Sequence, residues 1–224
     1  MRFGYSLTFP VRDGRWFRKV FLPACLLLVP VLGPLVVLGW GFEACRRVVG
    51  RQPEELPSLD FGRNASDGLR LCAVILVYCI PLFVAAGLGV LIASPFFLSE
   101  QDTAAATVAS VLCGVECGIL LIAVAEALLI SAAIGHCASE GNFRKAFRMG
   151  EVVRLLRDAP AAYLLTILAF FPLAVLGLSG SLICLVGLFF TGAYFAASAF
   201  HLIGQAYLVA QSRRVSPAAP NAVQ

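Results

Sequence analysis

Two carboxylates and a histidine stand inside stretches of this chain that are otherwise apolar. Glu116 and Glu126 lie within the run 104–137, and Tyr194, Ser198, His201 and Gln205 lie within the run 182–211. A buried carboxylate near an imidazole is the chemistry of a proton relay or a cation site, because their surroundings can bring both groups to titrate near neutrality. An acidic side chain near mid-membrane costs roughly 2.5–3.5 kcal/mol on insertion scales, so it should face a bundle interior or water. Ser198, His201 and Gln205 share one helical face through their spacing of three and four residues. Glu126 stands about ten residues before the end of its run near His136, and His201 about eleven before Ser212. At a rise of about 1.5 Å per residue the two come to a similar height. The sequence therefore predicts that Glu126 meets the His201/Gln205 face. The contact is either a proton- or cation-coupled site or a structural hydrogen-bond clamp worth about 0.6–2 kcal/mol. Gly114 and Gly118 make a GxxxG step that predicts a close helix contact, with Glu116 on the other side of that helix.

Other chemistries lack their residues. The chain has no GxxxxGK[ST], no GxSxG and no HExxH. Cys113 and Cys117 sit one helical turn apart without the second pair that a zinc site needs. Most of the eight cysteines lie in apolar runs, where a thiol packs as a small hydrophobe. No cofactor, metal or nucleic-acid partner is expected, and an enzyme is the least supported class.

The elements that must hold these residues are membrane helices. The chain is 60% hydrophobic and 13% charged, with mean hydropathy +0.89. Soluble domains run near roughly 45–50% apolar and about 25% charged, so lipid must be the solvent for much of this surface. Apolar runs fall at about 20–42, 70–98, 104–137, 160–179 and 182–211, and each meets the roughly twenty residues that cross a hydrocarbon core. The expectation is an all-α polytopic bundle of about four full spans in the inner (cytoplasmic) membrane. Residues 1–211 form one membrane domain and 212–224 a disordered tail. About twenty residues precede the first run, which is too long for a secretory signal, so that segment is expected to be retained.

All 17 Lys and Arg residues fall in the N-terminal arm, the first loop (43–69) with Arg70 at its edge, the connection 135–160 and the tail; the turns SEQD (99–102) and LGLSGS (176–181) hold none. Cytoplasmic flanks collect cations, which places both turns outside and everything basic inside. That parity fails if segment 20–42 crosses once. It is restored if the segment is a re-entrant hairpin broken at Pro30, Gly33 and Pro34, with both termini cytoplasmic. The competing reading is a spanning helix kinked by proline.

Two basic stretches read as interfacial. VRDGRWFRKVF sets Trp16, Phe17 and Phe21 against Arg15, Arg18 and Lys19, and NFRKAFRMG sets Phe143 and Phe147 against Arg144, Lys145 and Arg148. Rings toward acyl chains and cations toward anionic headgroups make a surface helix, and snorkelling cations that anchor helix ends would look the same.

FPVRDGRWFRKVF, VPVLGPLVVLGWGFEACRRVVG, LPSLDFGRNASDGLRL and HLIGQAYLVA stand in that order. Together they resemble the prokaryotic membrane family known as domain of unknown function 4013, over about residues 9–211. Trp40 stands where that family usually has a tyrosine, and Arg63-Asn64 where it is more acidic. The resemblance implies architecture and no activity. Three classes of function remain: a non-enzymatic scaffold or accessory component with a membrane-protein partner or a second copy of itself, a small proton- or cation-coupled transporter or channel-like protein, and an enzyme.

Overall fold

The computed structural model describes residues 3–52, 55–98, 105–182 and 185–215, and the long elements among them are all α-helices. In chain order they are α1 (Phe3–Arg12), α2 (Trp16–Leu26), α3 (Leu32–Val49), α4 (Phe61–Tyr78), α5 (Ile80–Leu98), α6 (Ala105–Glu140), α7 (Met149–Asp158), α8 (Pro160–Ser179) and α9 (Leu185–Val215). Three are long and apolar enough to cross a membrane alone: α6 over Ala109–Glu140, α8 over Pro160–Ser179 and α9 over Gly187–Arg214. α4 and α5 make a fourth if taken as one broken span with a bend of 46°. Their outer surfaces are apolar, with Phe83, Leu91, Leu121, Leu168 and Phe171 all exposed. A continuous apolar exterior on long apolar helices makes this an all-helical membrane protein.

The run 70–98, expected to be continuous, breaks at Cys79. Pro81 explains the position: it has no N–H to give, and its ring is tolerated only in the first turn of a new helix.

Segment 20–42 also breaks, and the structure moves the turning residue. α2 ends at Leu26 and α3 begins at Leu32; the residue in the left-handed region is Val31, with φ 70°, not Gly33. Gly33 serves closeness instead: a Cβ there would stand 1.9 Å from the Leu26 carbonyl oxygen. Pro34 occupies the first turn of α3 and Pro30 lies in the break, both places where a missing N–H costs little. Neither α2 nor α3 alone is long and apolar enough to cross a membrane.

The path of the first three helices follows α9. Ser6 and Phe9 of α1 meet His201, and Trp16 at the start of α2 meets Phe190, eleven residues nearer the start of α9. α2 crosses α9 near that level, and α3 then runs back beside it, with Gly41 against Phe200 and Gly204 against Val48. The arm thus adjoins the α8–α9 turn: Phe17, Phe21, Gly180 and Gly187 line one cavity. Arg213 and Arg214 lie at the opposite end of α8, bonded to Asp158. Arg15, Arg18 and Lys19 thus lie near the α8–α9 turn, held there by Trp16 and Phe17 against Phe190, and Arg213 and Arg214 lie at the other end of α8.

NFRKAF is not a surface helix. Phe143–Phe147 forms a 3-10 turn capped by Asn142, Ala146 is fully buried, and the Tyr78 hydroxyl donates to the Ala146 carbonyl at 2.5 Å. Phe143 turns inward onto Phe42 (5.2 Å between centroids) while Phe147 stays exposed. The similar hexapeptide WFRKVF is α-helical, so the two share letters and not conformation. Residues 212–215, read as tail, complete the last turn of α9, because Arg213 and Arg214 have Asp158 to bind. SEQD and residues 216–224 lie outside the described residues.

The main core joins α3, α4, α6, α7, α8 and α9 around Phe42, Leu71, Tyr163 and Tyr207. α3 and α4 cross so closely that a Cβ on Gly39 would lie 1.9 Å from the Asn64 carbonyl oxygen, and one on Gly68 1.8 Å from that of Leu35. A smaller cluster packs Phe9, Val20, Trp40 and Leu56 against Ala193 and Ala197 of α9.

Candidate functional site

The break between α4 and α5 creates the need that Glu126 meets. The first turn of any helix has backbone N–H groups without intrahelical partners, and inside a bilayer no water replaces them. Glu126 on α6 is buried, and its Oε1 accepts from the Leu82 backbone N–H at 2.8 Å. The positive end of α5 therefore faces a carboxylate across the helix interface, a favourable pairing with the helix dipole.

His201 is engaged elsewhere. Its Nδ1 hydrogen-bonds Ser6 Oγ at 3.0 Å, and its ring stacks on Phe9 at 4.2 Å. Ser198 is fully buried and Gln205 half-buried on the same stretch of α9. Among the described residues no hydrogen bond or ion pair joins Glu126 to His201 or Gln205; the carboxylate serves α5 and the imidazole serves α1. Matching heights were legible in the sequence. The break that claims Glu126 and the N-terminal helix that claims His201 were not.

Glu116 is exposed on α6, and the predicted GxxxG contact does not form: a Cβ on Gly114 or Gly118 would meet nothing within 4 Å. The close glycine contacts fall at Gly39, Gly68, Gly180 and Gly187 instead.

A charge network that sequence reasoning missed ties α3 to α4. Glu43 accepts from Arg46 (3.2 Å) and Arg63 (3.1 Å) with Arg47 at 3.9 Å, and Arg46 also reaches Asp67 at 3.3 Å. Arg46 lies over Phe42 at 5.0 Å, and Arg70 over Phe143 at 5.9 Å. The signal was the spacing of Glu43, Arg46 and Arg47 at three and four residues along one helix. Toward α7, Glu151 pairs with Arg148 (3.1 Å) and His136 (2.8 Å), and Lys145 pairs with Glu140. The hydrogen bonds from Arg148 and then His136 hold the Glu151 carboxyl below the usual range. At the arm, Lys19 binds Asp13 (2.6 Å) and the Leu56 carbonyl (2.9 Å). Burial pushes the Asp13 carboxyl up, but Lys19 and the N–H groups of Arg15 and Leu56 more than offset it and leave it below the usual range. Trp40 Nε1 donates to the Pro57 carbonyl at 3.0 Å, fixing the same loop from the α3 side. Among the described residues no three of His, Cys, Asp and Glu converge as a metal site.

These joints, FEACRR against DFGRNASDG and Trp40 against LPSL, fall in the blocks that carried the family resemblance. The family model described as Protein of unknown function (DUF4013) matches residues 23–186. The chain belongs to this family. The match covers the α3–α4 joint, α5 to α8 and the first residues of α9, and leaves outside it both α1 and the His201–Gln205 block. No curated protein and no solved structure matches the chain.

Proposed function

We propose that this DUF4013 member is a non-enzymatic membrane component that scaffolds or accompanies another membrane protein, or a second copy of itself, in the inner membrane. The observation that carries the reading is the commitment of Glu126 to the Leu82 N–H, 2.8 Å away. A carboxylate that completes a broken helix is a clamp, and its job ends when the helix is complete. The His201–Ser6–Phe9 contact is a second clamp, holding α1 on α9.

In this reading the α7 end, with Arg148, Arg154, Arg157 and Arg214, is cytoplasmic, in keeping with the preference of cations for that side. Both termini face it. The chain enters along α1, crosses near the far face as α2 and returns along α3, so the turn-back is built from three short helices.

Proteoliposomes containing the wild-type chain and Glu126→Gln test the proposal against a proton- or cation-coupled transporter. The expected outcome is no proton or cation flux from either protein, together with co-purification of a membrane protein or a second copy. A flux present in wild type and abolished by Glu126→Gln overturns the scaffold reading.

A further inference from the structure

We propose that α2 and the start of α9 form a binding site for one anionic phospholipid. Two apolar cavities, of about 360 and 230 Å³, adjoin there and share Phe190 and Thr191. The larger opens between Phe17 and Phe21 of α2, Leu28 just past its end, and the glycines Gly180 and Gly187; the smaller lies beside Trp16 and Leu176. A third pocket, of about 270 Å³, lies on another flank of α2 and is lined by Arg15, Arg18, Lys19 and Ser58. Residues 17, 21 and 24 fall on one stripe of the helix, and 18, 19 and 22 on another, with Arg15 at the N-cap beside the second. α2 therefore presents apolar room on one side, edged by exposed Phe21, and cations on another, edged by exposed Leu22.

Charge complementarity selects the occupant. Lys19 is held by Asp13, but the guanidinium groups of Arg15 and Arg18 make no hydrogen bond or ion pair among the described residues. Arg46, Arg47, Arg63, Arg148 and Arg214 have carboxylate partners; Arg51, Arg144, Arg154 and Arg157 have none among the described residues either, but they line none of these three cavities. Two unpaired cations and the Ser58 hydroxyl suit a phosphodiester, and the paired cavities around Phe190 suit its two acyl chains. A soluble anion would use the basic pocket and leave both apolar cavities unexplained. A phospholipid uses all three. The site goes beyond the scaffold reading and does not depend on it, since a bound lipid serves a transporter equally well.

Trp16 reports on this place directly. It lies 6.0 Å from Phe190, whereas the other tryptophan, Trp40, is fully buried and serves as an internal reference. The full chain is reconstituted in phosphatidylcholine nanodiscs carrying a small fraction of brominated phosphatidylglycerol or of brominated phosphatidylcholine, and Trp16 quenching is read against Trp16→Phe. Brominated phosphatidylglycerol is expected to quench at the lower fraction. Arg15→Gln and Arg18→Gln should each reduce that preference roughly fivefold, the equivalent of about 1 kcal/mol per cation near an anionic surface. Both side chains are exposed and unpaired, so the variants fold, which unchanged Trp40 emission verifies. Equal quenching by the two lipids, a preference untouched by the arginine variants, or its abolition by excess inorganic phosphate each overturns the proposal.

Discussion

Glu126 Oε1 lies 2.8 Å from the backbone nitrogen of Leu82, a side chain of one membrane helix completing the first turn of another. The pairing gives an acidic residue deep in an apolar run a backbone partner. It also ties the α4–α5 break to α6, so the bend and the carboxylate form one device.

The two substitutions at this position should part company. Glu126→Gln keeps a carbonyl oxygen where Leu82 needs an acceptor and loses only the charge–dipole part, about 0.3–1 kcal/mol, so it should lower the thermal unfolding midpoint in detergent only slightly. Glu126→Ala leaves the Leu82 N–H buried and unpaired, which costs about 1–3 kcal/mol. A Gln variant as unstable as the Ala variant would mean that the negative charge itself carries the interaction.

Glycine positions divide just as sharply. At Gly68 an added Cβ would lie 1.8 Å from the Leu35 carbonyl oxygen, so the α3 or α4 backbone must move. Gly68→Ala should lower stability by about 1–3 kcal/mol or more, since backbone yields less readily than a side-chain tip. Gly118→Ala meets open space and should be neutral or slightly stabilising through helix propensity. Paired melting curves of the two variants check this, and equal destabilisation would place an unseen neighbour on the α6 face.

Acid should loosen the arm. Asp13 titrates below its ordinary range when folded, because Lys19 and two backbone N–H groups outweigh its burial. A carboxyl whose folded pKa is depressed contributes its stability fully above the unfolded value of about 3.9 and loses it as pH falls through the folded pKa. Trp16 emission should therefore shift as pH drops below about 4, and Asp13→Asn should be less stable at neutral pH with a flatter acid limb. An acid limb unchanged in Asp13→Asn would assign the transition to another carboxylate, such as Glu151.

What could be read from the chain followed what is local. Helix positions came from apolar runs, and the break in 20–42 came from Pro30, Gly33 and Pro34, although the left-handed residue is Val31. The partners of Glu126 and His201 were hidden because one is a backbone N–H freed by Pro81 and the other sits on α1, which carries no long apolar run. The GxxxG pattern pointed to Gly114 and Gly118 because spacing says nothing about which face finds a neighbour. The inward turn of Phe143 was equally silent, since it depends on Phe42, about a hundred residues earlier.

The placement of the arm has a direct consequence for topology. Phe17 and Gly180 line one cavity, whereas Arg214 binds Asp158 at the other end of α8, a helix of 20 residues. That length is about 30 Å, the thickness of a hydrocarbon core. A cysteine at the exposed position Gly14 should therefore react with a membrane-impermeant maleimide from the same side as one at Ser181, and from the side opposite one at Arg157. Gly14 has open space for the new side chain. The test needs every native cysteine replaced except Cys45 and Cys137, which can stay because both are buried. Labelling of Gly14→Cys and Arg157→Cys from one side would return the arm to the cytoplasmic face, and with it the single basic face that counting cations alone predicts.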